Sequence, residues 1–313
     1  MTKIQKKFLP KILAYLVLLA IIFWFIFFIK NHLSDFSIVR FISGRAVFLL
    51  LLFNFIALVF EGLILKIILE PFQIRLKIKE WFGLNILSSF GNIILPFGGW
   101  GVRGIYLQRK YQFNYADFLS VLAVVTIFEL IVFSLGGIIG LIYWQVTTGL
   151  TDKVLLLIFG LVASMCLGFI ILPIKIKDGQ NVWQKRLFKM SESWRNLKNQ
   201  KVNILKIILV MFFYFLVNAV IFFLAARSFG LAASLPFTFI PTALSNYTLI
   251  IRILPASAGF YEGAVIYSLK LLNLNLAQGL LVAELTRFSY LIWLLVLTPI
   301  FSYVLLKKIK LGN

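Results

Sequence analysis

Sulfur, imidazole and acid are all scarce in this chain. Its 313 residues include one cysteine, Cys166, and one histidine, His32. Counting alone therefore excludes a disulfide framework, a Cys/His zinc site and a Cys–His catalytic dyad. Acidic residues number 11 against 31 Lys and Arg, a net charge of +20. Only 13% of residues are charged, where a soluble domain carries roughly 25%. No P-loop-type sequence occurs, which points away from nucleotide hydrolysis and toward an ion gradient as an energy source. What is abundant is apolar: 61% of residues are hydrophobic, 16% aromatic, and the mean hydropathy is +0.99. Against that background the positive charge reads as contact with anionic lipid headgroups, not with nucleic acid.

Long unbroken apolar runs, without the alternation of barrel strands, indicate helices, because a helix satisfies its own backbone in lipid. Six runs are long enough to cross: 12–29, 46–65, 118–143, 154–173, 207–226 and 285–306. The first follows Lys3, Lys6, Lys7 and Lys11 without a small-residue cleavage pattern, so it reads as an uncleaved span. Basic residues cluster in the amino terminus, in 70–116, in the polar connector 174–206 and in the tail, 22 of the 31 in all. Placing these on one side puts both termini in the cytoplasm, with the protein in the cell membrane. The connector, which holds Trp183 and Trp194, reads as an amphipathic segment on the membrane surface.

Two apolar segments are interrupted. The first, 84–97, ends in Pro96, Gly98, Gly99 and Gly101; the second, 237–254, contains Pro241 and is followed by Pro255 and Gly259. A dozen helical residues at ~1.5 Å each reach only about halfway through a ~30 Å core. Re-entrant helical hairpins account for both. The stretches LSSFGNIILPFGGWGVRGIYL from Leu87 and LSNYTLIIRILPASAGFYEGAVIY from Leu244 also match each other, down to a glycine eight residues after the proline, Gly104 and Gly263. The expected fold is therefore an all-α integral membrane protein of six transmembrane helices and two re-entrant hairpins. It forms one polytopic domain over 1–313, an inverted 3+3 repeat of about 12–150 and 153–306.

The stretch FGGWGVRGIYLQRKY from Phe97 to Tyr111 resembles the Gly-Gly-x-Gly-x-Arg pattern of lysylphosphatidylglycerol synthase transmembrane regions. LPASAGFYEGAV from Leu254 resembles that family's Pro-x-x-x-Gly-x-x-acid motif. The family includes stand-alone flippase-like proteins and hopanoid-transport relatives. Ala256 and Ser257 stand where it usually has glycines. The soluble aminoacyl-transferase domain of full synthases is not found here, so lysyl transfer is not expected. The resemblance implies a lipid flippase or a transporter of lipid-linked substrates, working by alternating access around the hairpins. A membrane-embedded lipid-modifying enzyme, or a non-catalytic scaffold for one, is the alternative. Phospholipid or a lipid-linked molecule is the expected partner, with a homo-oligomer or a lipid-modifying enzyme as further candidates. No cofactor or metal is expected.

Ionisable groups at membrane depth are costly and point to function. Arg103, Arg252 and Arg287 are candidates to receive an anionic headgroup, with Glu61, Glu129 and Glu262 balancing charge. Gly98, Gly99 and Gly259 would allow close backbone approach, and Pro96, Gly101, Pro255 and Gly263 would shape the hairpin loops. The repeat aligns Arg103 with Glu262, which gives two alternatives: both bind cargo, or they form an ion pair locking the halves together.

Overall fold

In a computed structural model of the chain, the described residues are 43–171, 201–250, 254, 257–272 and 274–310, with 181, 184 and 188. Among them the regular structure is helical. The order is α1 (Gly44–Leu69), α2 (Ile78–Ile94), α3 (Gly98–Tyr111), α4 (Tyr115–Thr148), α5 (Lys153–Ile171), α6 (Lys201–Ser228), α7 (Phe239–Ile250), α8 (Phe260–Lys270) and α9 (Leu276–Lys310). Five helices, α1, α4, α5, α6 and α9, are long and apolar enough to cross a membrane. The chain is a multi-pass membrane protein. The run 12–29, expected as the first of six spans, lies outside the described residues, as does most of the connector 174–206.

Local chemistry sets the element ends. Ser43 caps α1, its Oγ accepting from Ala46 N at 3.2 Å, and Asn114 caps α4 through Ala116 N at 2.9 Å. Asp152 caps α5 by accepting from both Val154 N and Leu155 N at 2.9 Å. Leu95, held extended at φ −137° and ψ 137° by the proline that follows, ends α2.

The first interrupted segment is longer than its apolar run. Its first arm, α2, begins at Ile78 and not at Leu84, because the charged Glu80 is buried inside the helix. Glu80 is fully buried and accepts from Lys77 N at 2.9 Å, Tyr106 Oη at 2.9 Å and Tyr111 Oη at 3.0 Å, and it pairs with Lys110. With its donors supplied by α3, the carboxylate ties the foot of α2 to the end of α3. Burial pushes the Tyr106 hydroxyl up to about 12 and raises that of Tyr111. In the second segment, Pro241 does not interrupt the helix. It lies in the first turn of α7, where a missing N–H costs nothing.

Packing pairs off between the two halves. Helices α1 and α6 pack on each other, α2 on α3 and α7 on α8, α3 on α4 and α8 on α9. Each first arm also leans on the long helix of the other half: α2 on α9, and α7 on α4. One core cluster joins Leu58 of α1, Ile86 of α2 and Leu294 of α9. A larger one runs through α4, α5, α6 and α7 around Phe133, Phe159, Phe215 and Phe237.

Candidate functional site

The two broken helix pairs and the long helices α1, α6 and α9 enclose a cavity of about 220 Å³. Asn92 and Ser89 reach it from α2, Ser257 and Tyr261 from the second pair, Asn54 and Glu61 from α1, and Arg287 from α9. The cavity therefore meets both broken helix pairs and presents one carboxylate and one guanidinium.

Each of these charges has a partner behind it. Glu61 pairs with Arg103 of α3 at 3.5 Å, with side chains 29% and 12% exposed. Asn85, fully buried, completes the group: its Nδ2 donates to Glu61 Oε2 at 3.2 Å and to Leu58 O at 3.0 Å, and its Oδ1 accepts from Arg103 Nη2 at 2.7 Å. Arg103 Nε is buried with no acceptor. On the other wall Arg287 pairs with Glu262 of α8. Its guanidinium lies 4.8 Å from the centre of the Tyr261 ring, and Tyr261 Oη is 2.8 Å from Thr286 Oγ1. Glu262 also accepts from Gly259 N at 2.6 Å, so it caps the amino terminus of α8. That helix end already carries its own anion, and Arg287 is the cationic group left facing the cavity.

Arg103 and Glu262, expected to approach one another, do not pair. Each takes its partner from a long helix, Glu61 of α1 for the arginine and Arg287 of α9 for the glutamate. Two separate ion pairs replace a single lock. Of the expected charged set, Glu61 and Arg287 line the cavity while Arg103 and Glu262 stand behind them. Glu129 is elsewhere, accepting from Asn246 Nδ2 of α7 at 3.0 Å. Arg252 and Pro255 lie outside the described residues.

The glycines act in packing. A Cβ on Gly98 would meet Gly91 O at 2.3 Å, and one on Gly99 would meet Ser88 O at 2.2 Å. Their absence lets α2 and α3 cross backbone to backbone. Ser88 Oγ then donates to Gly99 O at 3.0 Å, and Gly99 N donates to Asn92 Oδ1 at 2.9 Å. Gly259 has φ 82°, a conformation that favours glycine, as the N-cap of α8. Gly101 and Gly263, expected in loops, are helical residues of α3 and α8. Pro96 occupies the loop itself.

Attention to formal charge missed the amides and phenols of the cavity: Asn54, Asn92, Asn218, Tyr214, Tyr261 and Tyr290. Asn54 and Asn218 were visible as lone amides inside long apolar runs. Asn54 is 3% exposed and donates to Ser289 Oγ of α9 at 2.9 Å.

The family model described as Lysylphosphatidylglycerol synthase TM region matches residues 10–298. No curated protein matches the chain.

Proposed function

Starting from a chain that belongs to the lysylphosphatidylglycerol synthase TM region family, we propose that it moves a phospholipid or lipid-linked molecule between leaflets without altering it chemically. The observation that carries this reading is the cavity shared by both broken helix pairs, with Glu61 and Arg287 on its walls. Its volume of about 220 Å³ suits a phosphate-bearing headgroup, being smaller than the roughly 300–1,000 Å³ pockets that enclose whole drug-sized ligands. The acyl chains stay in the bilayer, and Arg287 meets the phosphate.

The reciprocal packing, α2 on α9 and α7 on α4, supports two inverted units with re-entrant hairpins. In such an arrangement the substrate site lies between repeats, and rocking one unit against the other exposes it to alternate sides. Both termini are cytoplasmic in this reading, from the basic residues counted above.

The test is reconstitution of the full chain in liposomes carrying a fluorescent anionic phospholipid in the inner leaflet. Protein-dependent exposure of unmodified label to an external quencher, lost in Arg287→Gln paired with Glu262→Gln, is the expected result. Chemical conversion of the label would replace this reading with an enzymatic one. No exposure in any lipid composition, with the fold intact, would overturn transport.

A further inference from the structure

The charges of the cavity are committed, and several of its neutral polar groups are not. Glu61 is balanced by Arg103 and held by Asn85 Nδ2, while Arg287 is paired with Glu262. Ser89 of α2 and Ser257, between α7 and α8, also line the cavity. They are 6% and 3% exposed, and among the described residues neither hydroxyl has a hydrogen-bond partner. Two amides are half committed. Asn92 Oδ1 accepts from Gly99 N at 2.9 Å, which leaves its Nδ2. Asn218 Nδ2 donates to Tyr214 O at 2.8 Å, which leaves its Oδ1. Backbone partners fix both orientations, because an N–H demands the amide oxygen and a carbonyl demands the nitrogen. Ser257 moreover holds φ 51°, a left-handed conformation that favours glycine. Glycine would be easier to place there, but it would bring no hydroxyl to the cavity.

These groups describe their ligand. A phosphate oxygen only accepts hydrogen bonds, and an ammonium only donates them. Two hydroxyls, an amide NH2 and an amide oxygen do both, and their complement is a set of hydroxyls that also do both. They stand on three sides of the cavity, on α2, before α8 and on α6, so hydroxyls spread around a ring meet them better than a short linear polyol does. Tyr214, Phe222 and Tyr261 add aromatic surface to the wall, which suits the apolar C–H faces of such a ring. An amine headgroup gains little here, since Glu61 already has its counter-ion. We propose that the headgroup carried by this protein is a sugar or cyclitol ring joined to its lipid through phosphate. The phosphate meets Arg287, and Ser89, Asn92, Asn218 and Ser257 read the ring hydroxyls. This rests on the lipid-moving reading above and names the class of its cargo.

The test is binding of water-soluble headgroup phosphates to the full chain in lipid nanodiscs, read as a saturable thermal shift. Glucose 1-phosphate and inositol 1-phosphate are compared with glycerol 3-phosphate and O-phosphoethanolamine, and the tighter of the first two separates a sugar from a cyclitol. The better ring phosphate should bind at least ~10-fold more tightly than either linear compound, the equivalent of two or more extra hydrogen bonds. Ser89→Ala and Ser257→Ala should each weaken ring binding roughly 2- to 10-fold, the loss of one bond, and narrow its preference over glycerol 3-phosphate. If Ser257→Ala does not fold, Ser257→Gly serves instead, since glycine adopts that backbone freely and equally lacks the hydroxyl. Equal binding of all four compounds, tighter binding of O-phosphoethanolamine, no shift with any of them, or a preference undiminished in both serine variants would each overturn the assignment. Binding is read without lipid movement, so failure here leaves the flipping assay standing, and failure there leaves the binding preference standing.

Discussion

Replacing Arg103 with methionine removes a charge and a hydrogen-bond donor from one buried group, and the two losses can be separated. Glu61 would lose its counter-ion. Breaking a buried pair from one side costs about 3–5 kcal/mol, and the lower end applies because the Glu61 side chain keeps 29% exposure. Asn85 Oδ1, in a fully buried residue, would lose its 2.7 Å donor, adding about 1 kcal/mol at the low end for an unmet acceptor. Arg103→Met alone should therefore destabilise by about 4 kcal/mol. Adding Glu61→Gln removes the stranded charge and leaves the amide cost, so the double variant should recover roughly 2–3 kcal/mol. The assay is a double-mutant cycle by equilibrium unfolding in mild detergent, with lipid exposure in liposomes measured in parallel. A coupling below about 0.5 kcal/mol, the additivity expected of independent sites, would refute the paired-group reasoning. Transport recovered along with stability would make Arg103 a lock for the α1–α3 contact. Stability recovered without transport would make its charge part of the cargo path.

Other perturbations follow from the same geometry. Gly99→Ala places a methyl 2.2 Å from Ser88 O and should cost about 2–3 kcal/mol by forcing α2 from α3. Gly101→Ala meets nothing within 4 Å and should be neutral or stabilising by up to ~1 kcal/mol; thermal shift separates the two. Asp152→Ala removes the cap of α5 and the acceptor for Tyr267 Oη at 3.0 Å, at about 1 kcal/mol, whereas Asp152→Ser should retain most of that stability. Alkaline melting addresses Tyr106, whose folded pKa of about 12 lies above the ordinary phenol value of 10.0. Below the unfolded value both states hold the proton. As pH rises from 10 to 12 the unfolded state loses it first, so stability falls. Tyr106→Phe should begin less stable and fall less steeply across that window, and parallel curves would discount the Tyr106 contribution.

Helices announced by length were legible in the sequence, and those governed by a buried polar tie were not. The long spans extend a few residues beyond their apolar runs, since caps such as Ser43 and Asn114 stand outside them. The start of α2 was hidden because Glu80 looks like an end to an apolar run, and its donors Tyr106 and Tyr111 come from α3. The match between the two stretches pairs Arg103 with Glu262 in sequence, but a sequence correspondence does not bring side chains together. Each is held instead by a long helix, Arg103 by Glu61 and Glu262 by Arg287. The amides of the cavity escaped notice because an uncharged side chain barely disturbs a long hydrophobic average.

Because α2 leans on α9, the first hairpin cannot finish folding when it leaves the ribosome. The Ile86 side that packs against Leu294 must wait for some 200 further residues to be made, roughly 10–40 s at ~5–20 residues per second. Throughout that interval the α9-facing side of α2 lacks its cover, and insertion factors or neighbouring lipid must shield it. The first arm of the second pair has no such delay, since α4 is already in place when α7 emerges. Biogenesis of this protein is therefore ordered by its packing: the broken pair made first is completed only by the last helix, α9.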